Sequence, residues 1–339
     1  MTGLIDSLPE EARSGAEEAE QPDWLDPMLA TLTDDRFDDP DWIYERKLDG
    51  VRLLAFRSKG SVRLMSRNEE NRNATFPEVV DSLEALDAPD FIVDGEVVTF
   101  EGDVTSFSRL QDRLHVQDED EARERADRIR VYYYVFDVLH ADGWDVTDVP
   151  LRSRKNLLKQ MLDFEDPLRF TPHRNEEGTA FWKEACDKGW EGIIAKDGAS
   201  GYVHSRSRSW LKFKCVHQQE FVVGGFTEPE GERVGFGALL LGYYEEGDLV
   251  YAGKVGTGWD DETLEDLRSR LDGLERKTSP FAGDDTPQKG VRWTTPNIVG
   301  EVAFTEWTED GYLRHPRWLG RRTDKDPEDV HREGSGGSG

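Results

Sequence analysis

The chain has 339 residues, 36% hydrophobic and 34% charged, which exceeds one small module and suits a soluble protein of about two domains. Its formal net charge is -28, which at first sight opposes a basic nucleic-acid partner face. Acids occur in nearly every segment, as in DDETLEDLRSRLDGLE (260–275), and predict a solvated, halophilic-type acidic surface rather than an acidic tail. No apolar run approaches membrane-spanning length, and no basic segment with an apolar core opens the chain, so a membrane protein is not expected. Two cysteines, Cys186 and Cys215, are too few for a disulfide framework or a thiolate zinc site, and they fit a reducing cytoplasm.

In chain order, residues 1–22 read as a disordered acidic tail. Apolar, β-rich runs follow at VRLLAF (51–56), SVRLMS (61–66), FIVDGEVVTF (91–100), VYYYVFDVL (131–139), GIIAK (192–196) and WLKFK (210–214). Helical spacing places Phe107, Leu110 and Leu114 on one face of SFSRLQDRL (106–114). It recurs in TAFWKEACDKG (179–189), whose last glycine suits a helix C-terminus. This mixed order predicts an α+β domain of antiparallel sheets over 23–216. From 217 to 332 short strands with one helix, near 261–275, read as an oligonucleotide-binding (OB) barrel. Residues 333–339 include GSGGSG, a flexible linker or fusion scar.

The chemistry gathers around ERKLDGVR (45–52). Taken alone, KLDG is a charged strand end with a turn. Downstream, DGEVV (94–98), YVFDVL (134–139), EGIIAK (191–196) and WLKFK each set charges among β-branched and aromatic residues. An inward charge in such a strand is costly unless it is paired or bound to a ligand. Five such strands with both signs point to one cleft for a polyanion and a metal. A lysine amine with a pKa near 10.4 is a poor nucleophile at neutral pH, and a cleft holding Arg52, Lys196, Lys212, Lys214 and a divalent cation is expected to push Lys47 toward its neutral form.

The order of these segments, over about residues 24–326, resembles the covalent nucleotidyltransferase superfamily of ATP-dependent polynucleotide ligases and mRNA capping enzymes. In detail it is similar to the ligase domain of prokaryotic ligase D, an end-joining DNA ligase. PMLATL (27–32), SRNEENRNATFPE (66–78), WLKFKC (210–215) and LRHPRWLGRRTDK (313–325) carry the likeness. The resemblance implies a nucleotidyltransferase domain with ATP-grasp-like antiparallel sheets, followed by an OB-fold. It implies Lys47 as the nucleophile that forms lysyl-AMP from ATP, Glu45 reading the adenine amino group and Phe136 stacking on the base. Arg52 and Glu96 approach the ribose, and Lys212 and Lys214 the α-phosphate. Glu96 and Glu191, with Asp49 close by, hold Mg2+ (or Mn2+), and Glu191 also lies against the nucleotide. Arg67 meets the 5′-phosphate of a nick, Arg206 and Arg208 meet DNA, and Arg314, Arg317 and Lys325 orient the leaving pyrophosphate. A hinge near residues 215–220 moves the barrel.

One departure stands in GYVHSRSRSW (201–210), where His204 and Ser205 replace the Pro-Gly usual before the Arg-Ser stretch; this loop is expected to differ. The implied substrate is nicked or broken double-stranded DNA, with a Ku-like end-binding partner, a monomeric state and a cytoplasmic, nucleoid-associated location. The length leaves no room for fused polymerase and nuclease domains, so a stand-alone ligase is expected. Glu45, PMLATL and the C-terminal signature weigh against an RNA ligase or a capping enzyme. The retained Lys47, Glu96, Glu191 and Lys212 weigh against a non-catalytic DNA-binding relative.

Overall fold

A computed structural model describes residues 3–333 apart from 117, 216, 230–234, 284–285, 288–289 and 309. Its contacts divide the chain into two units, Met1–Cys215 and Val216–Gly339. The expected linker lies almost wholly outside the described residues, which end at 333.

The first unit opens with helix α1 (Glu10–Arg13) and strands β1 (Glu17–Glu18), β2 (Leu29–Leu32) and β3 (Trp42–Lys47). Next come β4 (Val51–Ser58), β5 (Ser61–Ser66), α2 (Pro77–Glu84), β6 (Phe91–Val98) and a hairpin of β7 (Phe100–Glu101) with β8 (Val104–Thr105). Helices α3 (Phe107–Leu114) and α4 (Glu119–Ala126) lead to β9 (Tyr132–Ala141) and β10 (Trp144–Asp145). The unit closes with α5 (Leu151–Met161), β11 (Leu168–Phe170), β12 (His173–Asn175), α6 (Gly178–Asp187), β13 (Gly192–Asp197) and β14 (Arg206–Lys214).

These strands form two sheets. One runs β1-β10-β9-β6-β4-β5 with β11 beside β9, and the other runs β12-β3-β13-β14-β2. Most pairs are antiparallel as expected, but β11 lies parallel to β9 and β2 parallel to β14, a correction to a purely antiparallel layout. Helix α3 buries the expected Phe107, Leu110 and Leu114, and the Ser106 side chain accepts a hydrogen bond from the Arg109 amide at its N-terminus.

The acidic N-terminal segment is ordered, against the expectation of disorder. Leu8 and Ala12 are buried in the main core, Leu4 and Ile5 pack on it, and Glu17 and Glu18 pair with Asp145 and Trp144. Four apolar residues at near-helical spacing suffice to dock a segment whose average composition reads as tail. The two cysteines are joined as a Cys186–Cys215 disulfide, in place of the reduced thiols expected of a reducing compartment. Helix α6 and the end of β14 hold their Cα atoms 5.2 Å apart, within bridging range.

The second unit contains β15 (His217–Thr227), β16 (Leu239–Glu245), β17 (Asp248–Val255), α7 (Asp261–Gly273), β18 (Glu275–Arg276) and β19 (Val291–Phe304). Strands β20 (Glu306–Trp307), β21 (Leu313–Arg314) and β22 (Arg317–Arg322) follow. The order β17-β16-β15-β19-β18, with β22 also on β19, gives a curled antiparallel half-barrel consistent with an OB-fold. The Asp260 side chain caps α7 by accepting from the Thr263 amide, and Leu264, Leu267 and Leu271 face the core.

Candidate active site

Alternation along the strands of the second sheet sorts its residues by face. Tyr44, Ile193, Ala195, Leu211 and Phe213 form an apolar cluster with Phe181 and Ala185 of α6. The residues between them therefore share the other face. Cross-strand register sets Lys47 opposite Gly192, with Lys214 opposite Gly192 on its other side, and Glu45 opposite Ile194, with Lys212 beyond it. Gly192 is required in this row: its φ is +149°, and a Cβ there would meet the Phe213 carbonyl oxygen at 2.1 Å. Gly50 is equally constrained, since a Cβ would lie 2.2 Å from the Val97 carbonyl oxygen. The KLDG turn thus passes tightly over β6.

Lys47 ends β3, and its amine donates to Glu191 Oε2. Glu191 Oε1 also faces Lys214 Nζ at 3.6 Å. Burial lowers the Lys47 amine and Lys214 lowers it further, but Glu191 and Asp49 outweigh them, so it lies above its ordinary value. The protein's own cations do not by themselves push Lys47 toward its neutral form: a carboxylate is its nearest charged partner.

Glu45 is buried, with one oxygen accepting from Lys155 Nζ and the other 2.7 Å from Lys196 Nζ. Burial raises its carboxyl, yet Lys155 and Lys196 together hold it below the ordinary value. The Lys196 ammonium lies 4.2 Å from the Phe136 ring centroid and 3.9 Å from that of Trp210. Phe136 meets Trp210 edge-on, so an aromatic of the first sheet touches the second.

From the first sheet, Arg52 pairs in register with Glu96. Its guanidinium grips Asp94 with Nε to Oδ1 at 2.9 Å and Nη2 to Oδ2 at 2.5 Å, and Nη1 donates to the Met28 carbonyl at 2.6 Å. Tyr202 donates its hydroxyl to Asp94 at 2.7 Å. Asp94 and Tyr202 were not singled out from sequence. Neither was Lys155, although Arg154 and Lys155 share the i, i+3, i+4, i+7 stripe of Leu151 and Leu158 on α5, a signal for buried, partnered cations.

Asp49 follows Lys47, and its amide donates to Thr105 Oγ1. Among the described residues, no group of three or more His, Cys, Asp or Glu side chains is arranged to hold a metal, so Asp49, Glu96 and Glu191 do not form a ready cage. That still fits magnesium, which keeps several waters and takes one or two carboxylates together with substrate phosphates. Arg67 lies half-buried in the turn after β5, while Arg206 and Arg208 are exposed on β14. The replaced Pro-Gly loop remains tied down: His204 Nδ1 meets the Asp26 carbonyl at 2.9 Å and the Leu29 amide donates to Ser205 O at 3.0 Å. Arg314, Arg317 and Lys325 belong to the second unit, where Lys325 pairs with Glu220 at 3.3 Å.

A lysine at a strand end, carboxylates and lysines in adjacent rows, and a separate half-barrel define the nucleotidyltransferase-plus-OB class. Comparison with known proteins narrows it. The family described as "ATP dependent DNA ligase domain" matches residues 27–214, and "ATP dependent DNA ligase C terminal region" matches 232–325. The chain belongs to the ATP-dependent DNA ligase family.

Within that family it is similar to the ligase portion of LigD proteins. It is 36% identical over 317 residues to "Multifunctional non-homologous end joining protein LigD" of Pseudomonas aeruginosa, covering 91% of this chain and 36% of that protein. A protein named "DNA ligase" from Natronomonas pharaonis is 35% identical over 298 residues, covering 84% of this chain and 52% of that one. The solved structure "mycobacterial DNA ligase D complexed with ATP and MES" superposes with a TM-score of 0.62 at 32% identity, covering 91% of this chain and 98% of that one. The chain spans between 36% and 57% of the length of these and similar curated relatives. No helix among the described residues is long and apolar enough to cross a membrane.

Proposed function

We propose that this chain seals nicks or joined ends in double-stranded DNA, by way of AMP carried on Lys47. The observation that carries the reading is Lys47 at the end of β3, bonded to Glu191 and in one row with Lys214. The Lys47 proton leaves toward Glu191, which already accepts a hydrogen bond from it. The amine then attacks the α-phosphorus, forming an N–P bond as the bond to pyrophosphate breaks. A 5′-phosphate oxygen next displaces the lysine, and the 3′-hydroxyl displaces AMP, closing the backbone.

Glu45 accepts from the adenine amino group, Phe136 stacks on the base, and Arg52 and Glu96 meet the ribose. Lys212 and Lys214 stabilise charge on the α-phosphate as it develops. Glu96 and Glu191, with Asp49, would hold a divalent cation that neutralises the phosphates. Arg67 meets the 5′-phosphate, Arg206 and Arg208 meet the DNA backbone, and Arg314, Arg317 and Lys325 orient pyrophosphate. Phosphate contacts need only local positive surface, so a net charge of -28 does not oppose them. The naming of similar proteins for non-homologous end joining and DNA repair supports a role in double-strand-break repair. In that role the chain would act as a monomer in the cytoplasm at the nucleoid, with a Ku-like end-binding partner.

The test is incubation with α-labelled ATP and magnesium, with Lys47→Ala alongside. Label should stay on the wild-type chain through denaturation and be absent from the variant. Label retained by Lys47→Ala removes the mechanism. A nicked duplex against a nicked RNA then decides the polymer.

A further inference from the structure

Lys155 lies on α5, outside every segment that marks the cleft in the sequence, and it is fully buried. An ammonium has three donors and accepts nothing. All three are matched here: Lys155 Nζ donates to Glu45 Oε1, to the Thr171 carbonyl at 3.1 Å and to the Phe136 carbonyl at 3.4 Å. One side chain thus ties the carboxylate of β3 to the backbone of the aromatic on β9, across the two sheets. Lys196 holds the second oxygen of Glu45 at 2.7 Å. The carboxylate is clamped at both ends, and each oxygen keeps a lone pair for a further donor.

We propose that Lys155 is a positioning residue for base selection: by fixing Glu45 against Phe136, it makes the site accept adenine and refuse guanine. The inference rests on the assignment of Glu45 and Phe136 to the base. An ionised carboxylate only accepts hydrogen bonds. Adenine offers its 6-amino donor, whereas guanine presents the O6 acceptor at that edge, where it would face a fixed negative charge. A site built to bond one polar group rejects an analogue lacking it far more strongly than shape alone would. Two ammonium partners also keep the carboxyl from taking up the proton with which it could donate to O6. Release from Lys155 frees the group to turn, to protonate, or both. A purely structural Lys155 would fasten α5 to β3 and leave the choice of base untouched.

The experiment measures initial rates of chain labelling by α-labelled ATP and GTP, on the full chain, for wild type, Lys155→Met, Lys155→Arg and Glu45→Gln. For Lys155→Met the expected result is a KM for ATP raised about tenfold with a smaller change in kcat, and an ATP-to-GTP preference reduced about tenfold or more. Lys155→Arg should recover most of the preference, because the charge is retained. A folded Lys155→Met with wild-type preference, while Glu45→Gln loses it, overturns the role of Lys155 and leaves the base reading intact. Wild-type preference in both variants overturns the base reading and this inference with it. Should Lys155→Met not fold, Lys155→Gln takes its place: it keeps a polar side chain but no charge, so KM for ATP should rise and the ATP-to-GTP preference should fall, and an unchanged KM and preference overturn the proposal.

Discussion

Asp94 receives three donors at full burial, two from Arg52 and one from Tyr202, so it fixes the guanidinium that we assign to the ribose. Removing one partner of a buried ion pair costs about 3–5 kcal/mol. The Arg52 side chain keeps 19% exposure, which puts Asp94→Asn near the lower end, at about 3 kcal/mol. Tyr202→Phe removes a hydroxyl that donates to Asp94 and accepts from the Met28 amide at 2.9 Å and from Arg52 Nη2 at 3.3 Å, and it should cost about 1.5–3 kcal/mol, most of it from the bond to the charged acceptor. Urea unfolding of both variants checks this order, and an Asp94→Asn cost below that of Tyr202→Phe would refute the hub. This residue also shows where sequence reading stopped. Glu96 stands out as a charge in an apolar strand, and Asp94, two residues earlier on the same face, carries the same signal but hides in a turn-like Asp-Gly. Lys47, Glu191 and Lys214 were legible because they lie in recognisable strings. Their mutual pairing was not, since it depends on which strands lie side by side.

At the scale of elements, alternation and helical spacing gave most of the long strands and the buried face of α3, while short edge strands and long-range pairings escaped. Strand β12 is such an edge. Its His173 pairs in register with Glu45, and burial, then Lys155, depress the ring from an ordinary 6.5 to about 4. A depressed histidine binds more protons unfolded than folded between those values, so its contribution is complete above pH 6.5 and is lost as pH falls toward 4. Melting temperature should therefore fall through that window less steeply in His173→Gln than in wild type. Parallel profiles would discard the assignment. The bridge between α6 and β14 makes a second prediction. It closes a 29-residue separation, for which loop entropy gives about 3–4 kcal/mol of constraint on the unfolded chain. The urea midpoint should drop on reduction, and Cys186→Ser should show the lower midpoint with or without reductant. A midpoint in the wild type that ignores reductant counts against the bridge.

For the whole molecule the question is which consequence of a net charge of -28 dominates. Surface arginines are already shared among acids, as the half-buried Arg292 is among Glu228, Asp272 and Glu275. Such surface pairs are worth at most about 1 kcal/mol each, and salt weakens them. Uncompensated carboxylates repel one another across the rest of the surface, and that repulsion also fades as the Debye length shrinks from about 10 Å at 0.1 M salt to about 3 Å at 1 M. With acids in large excess over cations, relief of repulsion outweighs the lost pairs. Melting temperature should rise by roughly 5 °C or more between about 0.1 M and 2 M KCl, equivalent to a couple of kcal/mol for units of this size. DNA contacts respond in the opposite sense, because each phosphate neutralised makes binding steeply salt-dependent. Labelling of Lys47, which needs no DNA, should therefore persist at molar KCl, while nick sealing passes through an optimum at lower salt. A melting temperature that is flat or falling with KCl would show that the acidic surface is not a source of strain that salt relieves. Labelling and sealing that decline together would place the salt effect on the nucleotide site rather than on the DNA contacts.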